Sequence, residues 1–209
     1  LAEALFGDLA DTLPPAIEEA SFAGGVRSDR RSAEQTHLAF ACPGLPASHP
    51  DAPALSLFAQ AVGGGMSSRL FQELREERGL AYSIYAWTQG FAETGIFGVN
   101  MSTDKARAAE ALALARETVE RAAAELTEAE LKRARAQVEA GILMALETPQ
   151  GRADAMARSI EIFGRIMTAE EMLAELRAVD SAKARAAGQA MLAGPRAMAS
   201  IGGKLALAA

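Results

Sequence analysis

Arg75 and Tyr82 are the two residues whose types and spacing invite a catalytic reading. A guanidinium offers a planar fork of donors suited to peptide carbonyls, and a phenol can donate one hydrogen bond to an oxygen that is gaining charge. The two stand seven residues apart, across a helix end and the turn Gly79-Leu80, and converge if the following strand doubles back beside the helix. By residue type alone a plainer assignment competes, with Arg75 a solvated helix residue and Tyr82 a packed ring with a wet hydroxyl. Upstream lies Gly63-Gly64-Gly65, whose consecutive amides before a helix offer a cradle for an anion. The Gly-x4-Gly-Lys-Ser/Thr pattern is absent, and no Gly-x-Gly-x-x-Gly spacing opens a helix after a strand. The triplet therefore reads as the cap of an apolar helix with a tight reversal.

Other nucleophiles and ligands are sparse. The two histidines, His37 and His49, are twelve residues apart, with no His-x-x-Glu-His motif and no third ligand at a suitable spacing. Both are expected to be structural, and no metal site is expected from this chain alone. Cys42, the single cysteine, ends the apolar run Leu38-Ala39-Phe40-Ala41-Cys42 and is expected to be a buried, inert thiol. Composition leaves a Ser-His-Asp arrangement open, but no Gly-x-Ser-x-Gly elbow supports one.

The elements that must position these residues follow from periodicity. Leu1, Leu5, Leu9 and Leu13 have helical spacing that stops at Pro14-Pro15. Gly24-Gly25 and Ser28-Asp29 read as turns around short extended pieces, and Glu34 to Cys42 as a half-buried strand closed by Pro43-Gly44. A proline-rich loop, Pro46 to Pro53, precedes a buried helix over Ala54 to Val62. Ser67 to Glu77 restarts as helix, with Ser67 or Ser68 as its cap. Tyr82 to Thr88 and Gly95 to Met101 are rich in aromatic and β-branched residues and predict a hairpin.

Helix dominates from Asp104 onward. Thr127-x-x-Glu130 and Thr168-x-x-Glu171 match the capping box, and Leu131, Val138, Ile142 and Ala145 share one helix face. Pro149 breaks that run, a further helix reaches Gly164, and Met198 to Ile201 is a last strand. The order does not alternate as a doubly wound parallel sheet would. It predicts an α+β fold, a largely antiparallel sheet with helices packed on one face, in one domain over 1–209.

Half of the 209 residues are apolar and the net charge is −6, a balance that argues against nucleic-acid binding. No apolar run is long enough to span a bilayer. The opening Leu1-Ala2-Glu3-Ala4-Leu5-Phe6 reads as the middle of a helix, so the chain is expected to be a fragment of a longer polypeptide, with 1–15 the tail of an interdomain linker helix. One cysteine and no leader favour the cytoplasm, with the periplasm left open.

The run Gly63 to Tyr85, GGGMSSRLFQELREERGLAYSIY, resembles the signature in the carboxy-terminal half of zinc peptidases related to pitrilysin, insulinase and the mitochondrial processing peptidase. Weaker likenesses extend along most of the chain, at Gly25-Val26-Arg27, Gln35-Thr36-His37-Leu38, Glu147-Thr148-Pro149 through Arg152, and Phe163-Gly164-Arg165. The resemblance implies two homologous α+β halves around a chamber. The absent amino-terminal half would carry zinc on an inverted His-x-x-Glu-His motif. This half would offer Arg75 to a neighbouring backbone carbonyl and Tyr82 to the scissile carbonyl oxygen, with Gly63, Gly64 and Gly65 as a substrate-side hinge. Arg69 and Arg78 are then helix-surface or structural residues.

The resemblance further implies that the chain has no cofactor of its own and does not hydrolyse peptides unaided. Its partners would be the zinc-binding half, in the same or a partner chain, and an extended peptide substrate. A homodimer through the exposed chamber face is an option. A non-catalytic assembly subunit like the processing-peptidase or respiratory-complex core proteins is the alternative.

Overall fold

The computed structural model describes residues 1–9 and 20–202. Helix α1 (Ala2–Phe6) takes up the first helical spacing, while Leu13, Pro14 and Pro15, and with them the far end of the expected linker helix, lie outside the described residues. Strands β1 (Gly25–Asp29) and β2 (Thr36–Gly44) lead to helix α2 (Ala52–Gly63). A π-helical segment (Phe71–Glu77) and the strands β3 (Ser83–Gly90) and β4 (Gly95–Thr103) follow. Helices α3 (Ala108–Glu125), α4 (Glu128–Ala145), α5 (Pro149–Phe163), α6 (Ala169–Arg177) and α7 (Ser181–Leu192) precede the last strand, β5 (Ala197–Ile201).

The five strands form one sheet in the order β1-β5-β2-β4-β3, antiparallel except where β1 runs parallel to β5. Alternation sorts the side chains by face. Leu38, Phe40, Cys42, Ile84, Ala86, Phe97, Val99, Met101 and Met198 are buried, while His37, Tyr85, Ala199 and Ile201 face solvent on the other side. Phe58 of α2 meets Phe97 of β4 with ring centroids 6.2 Å apart, and α2, α3 and α7 close over the buried face. The expected α+β fold with helices on one face is the one observed.

Several local expectations change. Ser28 and Asp29 are strand rather than turn, because β5 supplies a parallel partner that no local pattern reveals. Strand β2 does not close at Pro43 but runs on to Gly44, with Pro43 opposite Ile96. Pairing with β5 has already ended at Ala41, so the missing proline N–H leaves no ladder bond unmade. Ala145 is exposed at the end of α4, whereas Leu131 and Ala134 are buried and Val138 and Ile142 half-buried. The Ser68 side chain caps nothing; its hydroxyl is buried without a hydrogen-bond partner.

Both capping boxes form, with Thr127 and Glu130 at α4 and Thr168 and Glu171 at α6 exchanging their bonds. Glu130 does more. Its carboxylate also takes a two-pronged contact from Arg69, at 2.5 Å from Nε and 2.9 Å from Nη2, and Arg69 reaches the Glu125 carbonyl as well. The Arg69 guanidinium, with the Thr127 hydroxyl and amide, holds the Glu130 carboxyl down at about 2, against an ordinary value of 4.5. In return the hydrogen bond to Glu130 raises Arg69.

The glycine triplet caps α2, as expected, but without a left-handed residue. Gly64, the residue after α2, keeps right-handed angles (φ −85°, ψ 0°), and its amide returns to the Gln60 carbonyl at 2.9 Å. Gly63 is needed for another reason: a Cβ there would lie 2.4 Å from the backbone nitrogen of Ala86, so α2 touches β3 at a point where only glycine fits. At Gly65 the nearest atoms to such a Cβ belong to Gln137, 3.6 Å away.

Two stability predictions follow from these contacts. Glu130→Gln should cost about 1–2 kcal/mol at neutral pH, an amount already reduced for partial exposure. Because the folded carboxyl titrates below its unfolded value, its stabilisation is present above about 4.5 and is lost as the pH falls towards 2. Urea unfolding at roughly pH 7 and roughly pH 3 checks this, and an equal wild-type advantage at both would refute it. Gly63→Ala should destabilise by about 1–3 kcal/mol through overpacking, with Gly65→Ala within about 0.5 kcal/mol of wild type. Equal melting temperatures for the two variants would show that α2 and β3 can part without loss.

Candidate functional site

The segment from Arg69 to Tyr82 is fastened to its surroundings at both ends and along its inner face. At its start Arg69 is held by Glu130 of α4. Glu73 accepts from the Thr118 hydroxyl of α3 at 2.9 Å and pairs with Arg121 of the same helix. The Gln72 amide reaches back to the Met66 carbonyl at 2.6 Å. Leu70 and Leu74 are wholly buried, so the segment's inner face is pinned by packing as well.

Its far end is fastened in the same way. Arg107, at the start of α3, donates to the carbonyls of Arg78 and Gly79, both at 3.3 Å. The buried Thr103 hydroxyl donates to the Leu80 carbonyl at 2.6 Å, and the Tyr82 amide to the Ser102 carbonyl at 2.9 Å.

Between these anchors the chain folds back on itself. Gly79 takes a left-handed conformation (φ +55°), which costs a side-chain-bearing residue roughly 1–2 kcal/mol. This turn sends the amides of Leu80 and Ala81 to the same acceptor, the Leu74 carbonyl, at 2.6 and 3.2 Å. The peptide unit joining Leu74 to Arg75 thus sits within hydrogen-bond reach of the residue preceding Tyr82. The wider turn of the π-helix, with its i→i+5 bonding, is the kind of irregularity that often marks a functional stretch.

Arg75 follows the acceptor of this closure and Tyr82 follows its second donor, and both are exposed. The Arg75 guanidinium lies over the Phe71 ring, 4.8 Å from its centroid, and among the described residues it has no ion-pair partner. The Tyr82 ring is 52 % exposed, and its hydroxyl donates to Asp104 Oδ1 at 2.9 Å. That hydrogen bond, backed by the negative charge of Asp104, raises the Tyr82 hydroxyl above the usual phenol range. Among the described residues no hydrogen bond joins Arg75 to Tyr82 directly.

The remaining candidates stand apart. His37 is exposed on the open face of the sheet, and His49 Nδ1 accepts from the Asp51 amide at 3.0 Å in the loop before α2. Cys42 is wholly buried, and burial pushes its thiol up, as suits an inert core sulfur. Among the described residues no three His, Cys, Asp or Glu side chains gather as a metal site. Arg69 is structural, and Arg78 contributes its carbonyl rather than its guanidinium to the contacts around it.

Sequence reasoning missed Asp104, Glu73, Arg107 and the two α3 residues Thr118 and Arg121. A signal for Asp104 existed. The hairpin pairs Ser83 with Ser102, and extending that register places the residues just beyond Thr103 at the mouth where Tyr82 enters β3. The α3 contacts had no such signal, because they depend on how a helix lies across the π-helical segment.

Residues 1–138 match the family model described as the peptidase M16 inactive domain. An uncharacterized zinc protease of Streptomyces coelicolor is 36% identical over 171 residues, covering 81% of this chain and 37% of its own length. The zinc protease YmxG of Bacillus subtilis is 28% identical over 169 residues, covering 78% and 40%. A crystal structure of a peptidase M16 inactive domain from Pseudomonas fluorescens superimposes with a TM-score of 0.77 at 22% identity, over 94% of this chain and 48% of that one. A chain of Complex III2 from Candida albicans gives 0.85 at 19%, over 93% and 49%. The chain thus spans about two fifths of these curated relatives and half of the solved chains. In this family zinc belongs to the amino-terminal domain, and no helix among the described residues is long and apolar enough to cross a membrane. The chain belongs to the peptidase M16 family of zinc proteases, in which it corresponds to the inactive, carboxy-terminal domain.

Proposed function

We propose that this domain closes the chamber of a two-half zinc endopeptidase and positions an extended peptide for cleavage by the other half. The observation that carries the reading is the closure at the Leu74 carbonyl. It ties the peptide before Arg75 to the residue before Tyr82, so that two exposed donors stand on one segment otherwise fastened to α3, α4 and β4. Donors held by a rigid frame lose little freedom when a substrate arrives, which is what stabilising a transition state requires.

The division of labour follows from the residues. On this reading the hydrolytic step belongs to the half that holds zinc, and this half serves the substrate. Arg75, without an ion-pair partner among the described residues, suits a backbone carbonyl of the bound peptide through its fork of donors. Tyr82 suits the scissile carbonyl oxygen as it gains charge. Gly63, Gly64 and Gly65 carry α2 into this segment, and their part is to fix its departure from the α2–β3 contact.

A second reading, a subunit that serves assembly rather than cleavage, draws on the likeness to the Complex III2 chain and rests on the fold alone. The two readings separate on whether a zinc-binding half with His-x-x-Glu-His accompanies this domain. Joined to such a half, Arg75→Ala and Tyr82→Phe should each lower kcat/KM for an extended peptide by about 10²-fold, the usual effect of deleting one such donor. Cleavage by both variants at the rate of a working parent would sink the assigned roles.

A further inference from the structure

The Tyr82 hydroxyl carries one hydrogen, and in the free domain that hydrogen is already committed to Asp104 Oδ1 at 2.9 Å. We infer that Asp104 is a positioning residue that keeps Tyr82 from binding the ground-state carbonyl and releases it only to an oxygen that has gained charge. The inference rests on the reading of Tyr82 proposed above. A carboxylate accepts a hydrogen bond more strongly than a neutral peptide carbonyl, so an uncharged substrate oxygen cannot draw the hydrogen away. The oxyanion of a tetrahedral intermediate, more basic than a carboxylate whose charge is shared by two oxygens, is the stronger acceptor, and it can. Tyr82 then contributes mainly in the transition state, the condition for raising kcat rather than merely tightening substrate binding.

The surroundings fit a partner that lets go. Asp104 and Tyr82 are both exposed, at the open end of the β3–β4 hairpin, and nothing buried has to move when their bond breaks. The Tyr82 backbone is fixed independently by the Ser102 carbonyl, so losing the Asp104 contact frees the hydroxyl without displacing the residue. The raised ionisation of Tyr82 reports the same bond.

The test is a double-mutant cycle in the domain joined to its zinc-binding half, with kcat and KM measured on one extended peptide. Asp104→Asn keeps an acceptor oxygen but removes the charge. It should lower KM by about five-fold, the gap between a charged and a neutral hydrogen bond, with kcat at or above the wild-type value because a weaker bond is given up to the oxyanion. The same substitution in a Tyr82→Phe background should leave KM where that background sets it. Absorbance titration of the same joined protein, with the Tyr82 signal assigned by its loss in Tyr82→Phe, should show Asp104→Asn bringing the Tyr82 phenol ionisation to lower pH. An impaired Tyr82→Phe alongside a wild-type KM for Asp104→Asn overturns this inference and leaves the substrate role of Tyr82 standing. Wild-type rates for Tyr82→Phe overturn both. A KM change of equal size in the two backgrounds also overturns the inference, because Asp104 would then act without Tyr82.

Discussion

The carboxylate of Glu130 is the joint on which the arrangement turns. One oxygen accepts from the Thr127 amide and hydroxyl at the start of α4, and the two oxygens together take the fork of Arg69. A group that satisfies free helix amides has to sit at the helix start, and a group that grips an arginine has to face it. Meeting both demands fixes where the chain leaves the glycine triplet relative to the α3–α4 corner. The Arg69 contact to the Glu125 carbonyl ties the same guanidinium to the end of α3. Without this joint the segment carrying Arg75 would have a buried inner face but no fixed starting point.

From that joint each later contact narrows the remaining freedom. Glu73 is tied to α3, Leu74 is buried, and the left-handed Gly79 returns the chain so that Leu80 and Ala81 share the Leu74 carbonyl. A single carbonyl oxygen has two lone pairs, so it can serve both amides without strain. The outer face is left without comparable bonds, and Arg75 stands there. A segment rigid in its backbone and open at its tip is an economical way to hold a donor ready, since side-chain ordering is then the main entropy still to be lost.

Much of this was legible in the sequence, and what was not has a common cause. Capping boxes, the hairpin and the buried faces of β2 and α2 are local patterns, and they appear where the residues predict them. Spacing and resemblance single out Arg75 and Tyr82, but their contacts to Phe71 and Asp104 are not written in either. The parallel pairing of β1 with β5 and the place of Glu73 against α3 both depend on residues tens of positions away. The glycine triplet shows the same limit. Its composition suggests a reversal, whereas Gly63 answers to the backbone of Ala86 in a neighbouring strand, and no window of sequence contains both constraints.

Exposure decides how such a site can work. A hydrogen bond from Tyr82 to a peptide in open water would replace one to solvent and contribute little, and the same holds for Arg75. Either donor gains strength only when water is shut out and the local dielectric falls. This domain cannot do that alone, because Tyr82 is half exposed and Arg75 stands on an outer face. On the proposed reading, a second half that covers the peptide would therefore do more than bring the metal. It would turn two ordinary surface donors into strong ones, so that chamber closure and substrate positioning become one physical event.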